Sequence, residues 1–112
     1  MSQITTHVLD TSLGTPAEGI DITLAQLRGD DWFTLGTGTT NSDGRLPGLC
    51  PEGPLPAGTY RMHFATAVYF QRQGCAVFYP YVDVVFCLDD SGQHYHVPLL
   101  LSPFGYSTYR GS

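Results

Sequence analysis

In the tripeptide His94-Tyr95-His96 two imidazoles stand two residues apart, and alternation along an extended chain puts both on one face. Such a pair can grip zinc, but a tetrahedral site needs a third and a fourth ligand. Only His7 is a further candidate, and no cysteine stands at a helpful spacing. Taken alone, the pair reads as polar sheet residues. His7, within Thr5-Thr6-His7-Val8-Leu9-Asp10, reads singly as a structural histidine of a first strand. Arg45 follows the turn Asn41-Ser42-Asp43-Gly44 and reads as a surface arginine or a turn-closing ion pair. His63 has only a structural reading. The last strand is expected to carry Tyr106, Thr108, Arg110 and Ser112 on one face. Ser112 and its carboxylate then either end a packed strand or line a site.

Other templates are missing. There is no G-x-S-x-G elbow, no Walker loop and no H-E-x-x-H. Gly36-Thr37-Gly38 lacks the third glycine and the helix that a phosphate cradle needs.

The elements that must hold these residues are strands. Thirteen Gly and eight Pro punctuate the chain at intervals of roughly eight to twelve residues, separating runs rich in Val, Ile, Thr, Tyr and Phe. Ile4–Val8 reads as a first strand, closed by the turn residues 10–16. Ile20, Ile22 and Leu24 alternate with Asp21 and Thr23, the period of a half-buried strand. Trp32–Thr40 is a strand weakened by Gly36 and Gly38, and Arg45–Leu49 a very short one before a Pro- and Gly-rich loop. Thr59–Phe64, Tyr81–Leu88, Gln93–Leu101 and Tyr106–Arg110 complete the set. Ala65–Gln73 is the one helix, stopped by Gly74. About eight strands and one helix make an all-β sandwich or barrel.

Composition narrows the function classes. Of 112 residues, 42% are hydrophobic and 13% charged, too apolar for intrinsic disorder. The length suits one domain spanning 1–112 with a proper core. The formal charge is −5, lysine is absent, and the basic residues are Arg28, Arg45, Arg61, Arg72 and Arg110. Nucleic-acid binding needs a basic stripe and membrane-surface binding a polybasic patch, so neither partner is expected. No apolar run reaches the ~18 residues of a membrane span, and residues 1–6 do not read as a secretory leader. Cys50, Cys75 and Cys87, without a C-x-x-C, read as reduced thiols of a cytoplasmic protein.

Three stretches considered together change the picture. They are 4–17 (Ile-Thr-Thr-His-Val-Leu-Asp-Thr-Ser-Leu-Gly-Thr-Pro-Ala), 40–45 (Thr-Asn-Ser-Asp-Gly-Arg) and the run from His94-Tyr95-His96-Val97-Pro98 to Tyr109-Arg110-Gly111-Ser112. With them the chain resembles, over essentially its whole length, the 5-hydroxyisourate hydrolases, the enzymatic members of the transthyretin-like family. The terminal Tyr-Arg-Gly-Ser is the most specific motif, separating the hydrolases from the thyroid-hormone-binding transthyretins.

The resemblance implies an eight-stranded sandwich of two four-stranded sheets with one short helix. It also implies a homotetramer whose active sites lie where two dimers meet, with one sheet carrying His7, Arg45, His96 and the C-terminal segment. By resemblance His7 and His96 match the catalytic histidines and Arg45 the substrate-binding arginine. Tyr109 and Ser112 belong to the tetrapeptide that closes the pocket. The implied reaction is hydrolysis of 5-hydroxyisourate in urate breakdown, with no metal and no cofactor. A histidine suits activation of water near neutral pH, and a fixed arginine suits a polyoxo substrate. The competing expectations are a carrier of a small hydrophobic ligand and a metal-binding His-x-His strand.

Overall fold

The computed structural model describes residues 2–111, so Ser112 lies outside the described residues. Alternation builds the first sheet. In β4 (Asp21–Arg28) Ile22 and Leu24 point inward; in β6 (Gly58–Ala65) Tyr60, Met62 and Phe64 do so, and in β7 (Val82–Leu88) Val82, Val84 and Leu88. These strands and β5 (Asp31–Thr39) form one antiparallel sheet in the order β5-β4-β6-β7, broken only by a register shift between Leu24 and Ala25.

The second layer is less regular. The segment β1 (Ile4–Thr5) and β2 (Val8–Asp10) runs parallel to β8 (Tyr95–His96) and β9 (Leu99–Ser102). Each of these two strands is interrupted, at residues 6–7 and 97–98. Pro98 has no N–H to offer the ladder. The Val97 N–H still donates to the Thr5 carbonyl and the Leu99 N–H to the His7 carbonyl, both at 2.9 Å. The Thr6 hydroxyl donates to the Val97 carbonyl at 2.6 Å. The two stretches thus stay side by side through the breaks. With β3 (Thr15–Pro16) and β10 (Gly105–Thr108), the larger part of this layer has the order β10-β9-β2-β3. Counting each interrupted strand once, the ten strand segments among the described residues make the expected eight. Ile4, Val8, Tyr95, Val97, Leu99 and Leu101 face the first sheet across the core.

Helix α1 (Thr66–Arg72) falls within the expected span and ends before Gly74, whose φ of 71° is the left-handed conformation that closes helices. It is tied to β2 through Tyr69, whose hydroxyl donates to Asp10 Oδ2 at 2.6 Å. Burial alone would raise the Asp10 pKa; hydrogen bonds from Ser12, Tyr69 and Leu13 outweigh it and hold the carboxyl below its ordinary value.

Three local expectations are corrected. Arg45–Leu49 is not a strand, because Pro47 and Gly48, with φ 80°, take the chain out of extended pairing. Only Arg45 keeps a bridge, to His7. Thr15–Pro16, read as turn, pairs with Leu9 and Asp10. The last strand stops at Thr108, because its partner is interrupted at 97–98; Gly111 then bridges to His96 in the same antiparallel register. No helix among the described residues is long and apolar enough to cross a membrane.

Candidate active site

Alternation through the two interrupted strands decides which residues share a surface. Ile4, Thr6, Val8 and Tyr95 are buried, whereas Thr5, His7, His94 and His96 are partly exposed. The latter four therefore stand on the outer face of the second layer. Parallel pairing sets Thr5 directly beside His96. The Thr5 hydroxyl lies 3.0 Å from His94 Nε2 and 2.9 Å from His96 Nδ1. The His-x-His pair thus converges on one threonine.

Arg45 arrives from a turn built for the purpose. The Asn41 side-chain oxygen accepts from the N–H groups of Asp43, at 2.9 Å, and Arg45, at 3.1 Å. The Gly44 N–H closes the turn on the Asn41 carbonyl. Gly44 has φ 72°, and a Cβ there would collide with the Val8 carbonyl oxygen. Glycine is thus required on both counts. The turn brings Arg45 into a backbone bridge with His7, and the Val8 N–H donates to the Gly44 carbonyl at 2.8 Å. Thr5, Thr6, Arg45, Leu46 and Pro47 line a shallow groove of about 200 Å³ here.

The groups sense one another. Burial first, then the charges of Arg45, His94 and His7, hold the His96 imidazole below the usual histidine pKa. His96 is therefore neutral at neutral pH, with a fixed cation close by. Gly111 packs on its ring: a Cβ at 111 would lie 3.0 Å from His96 Cδ2 and 3.2 Å from its Cβ. The Gly111 N–H donates to the His96 carbonyl at 2.6 Å. Close approach is the reason for glycine at this place in Tyr-Arg-Gly-Ser. Arg110 clamps the same segment, stacking 4.2 Å above the Tyr95 ring and donating to Gln93 Oε1 at 2.7 Å.

Of the expected site residues, the structure brings His7, Arg45 and His96 together. Tyr109, 57% exposed, instead borders a second groove of about 230 Å³ at the open edge of the sandwich, with Val85, Cys87, Val97 and Thr108. Ser112 lies outside the described residues. Thr5 escaped the sequence reading, because only the parallel register with β8 reveals it.

A family model described as HIUase/Transthyretin family matches residues 4–111. The chain belongs to this family. It is 49% identical over 113 residues to a 5-hydroxyisourate hydrolase of Mus musculus, covering 99% of this chain and 96% of that protein. Among solved structures, a transthyretin from Sparus aurata superposes with a TM-score of 0.92 at 35% identity, over 99% of this chain and 97% of that one. The Klebsiella pneumoniae 5-hydroxyisourate hydrolase superposes with a TM-score of 0.85 at 40% identity, covering 99% and 100%. A transthyretin and a 5-hydroxyisourate hydrolase thus share this backbone, and the fold alone does not choose between them.

Proposed function

We propose that this protein hydrolyses 5-hydroxyisourate to 2-oxo-4-hydroxy-4-carboxy-5-ureidoimidazoline, a step of urate degradation. The observation that carries the reading is the meeting of His7, Arg45 and a neutral His96 on one face. The near-half identity to a hydrolase over nearly the full chain supports it.

In the reaction a water oxygen bonds to the activated acyl carbon of the substrate's six-membered ring, the ring C–N bond breaks, and a proton reaches the leaving nitrogen. Two histidines can manage those protons near neutral pH. One takes the water's proton; the other orients the water or protonates the nitrogen. Arg45 meets the oxygen-rich substrate and the oxyanion that develops on the attacked carbonyl. In a chain of net charge −5 this single cation offsets an unfavourable field. Its loss is expected to slow the reaction about 10²–10³-fold.

The reading includes a homotetramer with each site completed at the dimer–dimer interface, where Tyr109 and Ser112 help close the pocket around the substrate. The shallow groove beside Arg45 favours a site finished by a neighbouring subunit. A cytoplasmic location accords with three free cysteines. The second reading is a carrier, favoured by the higher TM-score to a transthyretin. A carrier has no use for two histidines and an arginine arranged around a common point.

The test generates 5-hydroxyisourate from urate with urate oxidase and follows its ultraviolet absorbance after addition of this protein. Accelerated decay, lost in Arg45→Ala and His96→Ala variants that keep their oligomeric state, is the expected result. No acceleration by the folded wild-type protein would move the carrier reading to first place. Repeating the assay on dilution, with sedimentation velocity alongside, checks the assembly: full activity in a proven monomer would overturn the shared site.

A further inference from the structure

One hydroxyl lies between two imidazoles. Thr5 Oγ1 is 3.0 Å from His94 Nε2 and 2.9 Å from His96 Nδ1. A hydroxyl has one proton to donate, and a neutral imidazole has one donor and one acceptor nitrogen. Two arrangements use the hydroxyl proton within this group; a third, with both imidazoles donating to the oxygen's two lone pairs, leaves that proton without a protein acceptor among the described residues. In the first, His94 Nε2–H donates to Thr5, and the Thr5 O–H donates to His96 Nδ1. In the second, both bonds are reversed: Thr5 donates to His94, and His96 Nδ1–H donates to Thr5.

The two differ in tolerance. The second requires a lone pair on His94 Nε2, so it exists only while His94 is neutral. The first holds whether His94 is neutral or protonated, because in both states Nε2–H is available. We propose that Thr5 and His94 are positioning residues that hold His96 as its Nε2–H tautomer, making His96 the proton donor of the site and leaving His7 to take the proton from water. The inference rests on the hydrolase reading above and divides the labour that reading leaves open. With Nδ1 occupied by Thr5, Nε2 is the ring nitrogen His96 has for the substrate. There it can deliver a proton to the leaving nitrogen while its Nδ1 takes the Thr5 hydroxyl proton and Thr5 takes the Nε2 proton of a protonated His94, so that His96 stays neutral. His7, joined by backbone to Arg45, accepts a proton from the attacking water. The groups that face His96 electrostatically are Arg45, His94 and His7.

The experiment uses the intact 15N-labelled protein. Long-range 15N–1H correlation spectra of the imidazoles read the tautomer without any substrate. His96 is expected with its proton on Nε2 in the wild type, and with a mixed or inverted tautomer in Thr5→Val, which keeps the side-chain shape. Turnover is read on the same samples. Thr5→Val is expected to lower kcat on the order of 10–100-fold, within the range of general acid–base catalysis, with KM changed far less. Thr5→Ser should restore both the tautomer and kcat, and His94→Phe should give a smaller loss than Thr5→Val. A wild-type His96 protonated on Nδ1 would overturn the assignment. So would a Thr5→Val protein with unchanged kcat, or a Thr5→Ser protein as impaired as Thr5→Val. Because the spectra need no turnover, a protein without hydrolase activity would refute the functional reading and still leave the tautomer measured.

Discussion

The two layers of the sandwich are built to different standards. The β5-β4-β6-β7 sheet has strands of seven to nine residues in antiparallel register, shifted once between Leu24 and Ala25. The layer opposite is assembled from segments of two to four residues, with two strands interrupted at 6–7 and 97–98 and a parallel pairing between the start and the end of the chain. All three convergent site residues belong to the second layer or are bridged to it. The contrast shows a division of work. Long ladders and a filled inner face hold the fold, while the interruption at 6–7 lets His7 receive the Arg45 turn beside the paired Thr5 and His96. The breaks are compensated locally, as the buried Thr6–Val97 hydrogen bond illustrates.

If that division holds, damage to each layer should be read by a different instrument. The largest effect is expected from Phe64→Ala in the regular sheet. Phe64 is fully buried, and truncating such a side chain costs about 3–5 kcal/mol. Urea unfolding should record that loss, while the molecules that remain folded turn over substrate at the wild-type rate. A collapse of their turnover with intact stability would invert the comparison.

Gly111→Ala should do the opposite. The added methyl presses on the His96 ring, and if His96 handles a proton as proposed, a small displacement of it costs on the order of 10–100-fold in kcat/KM. The melting temperature should move by only a few degrees. Equal activity in this variant would mean that the ring adapts without loss.

The smallest effect is electrostatic. His96 is held below the ordinary histidine value by burial and then by Arg45, His94 and His7. An NMR titration should therefore place its midpoint below about 6.5, and Arg45→Gln should raise it. The sign for stability follows from linkage. As pH falls below the unfolded value, the unfolded chain takes up the proton first, so the folded state loses stability until His96 itself titrates. A midpoint above the ordinary value would contradict this.

Much of this was legible in the residue order. Ile20, Ile22 and Leu24, with Tyr60, Met62 and Phe64, announced strands by period two, and Gly74 announced the end of the helix. Asn41-Ser42-Asp43-Gly44 announced a turn because those residues accept bent backbone. The motifs that carry the family resemblance also named His7, Arg45 and His96. The sequence misled where local signals met distant neighbours. Arg45–Leu49 looks extended but is diverted at Pro47 and Gly48, and its Leu49 carbonyl lies so close to Gly36 that no side chain fits there. The end of the chain alternates like a strand, yet its ladder lapses at 109–110, opposite the break at 97–98, and resumes as the Gly111–His96 bridge.

By itself, then, the sequence determined the β class, the turn before Arg45 and the identity of the ionisable residues, because these depend on neighbours a few positions away. Tertiary structure decided the rest. The parallel register sets Thr5 beside His96, 91 residues later in the chain, the fold packs Gly111 against the His96 ring, and Tyr109 turns toward the edge groove instead of Arg45. Register between distant strands comes from how two apolar faces fit across a core, and a shift of one residue would turn every site residue inward.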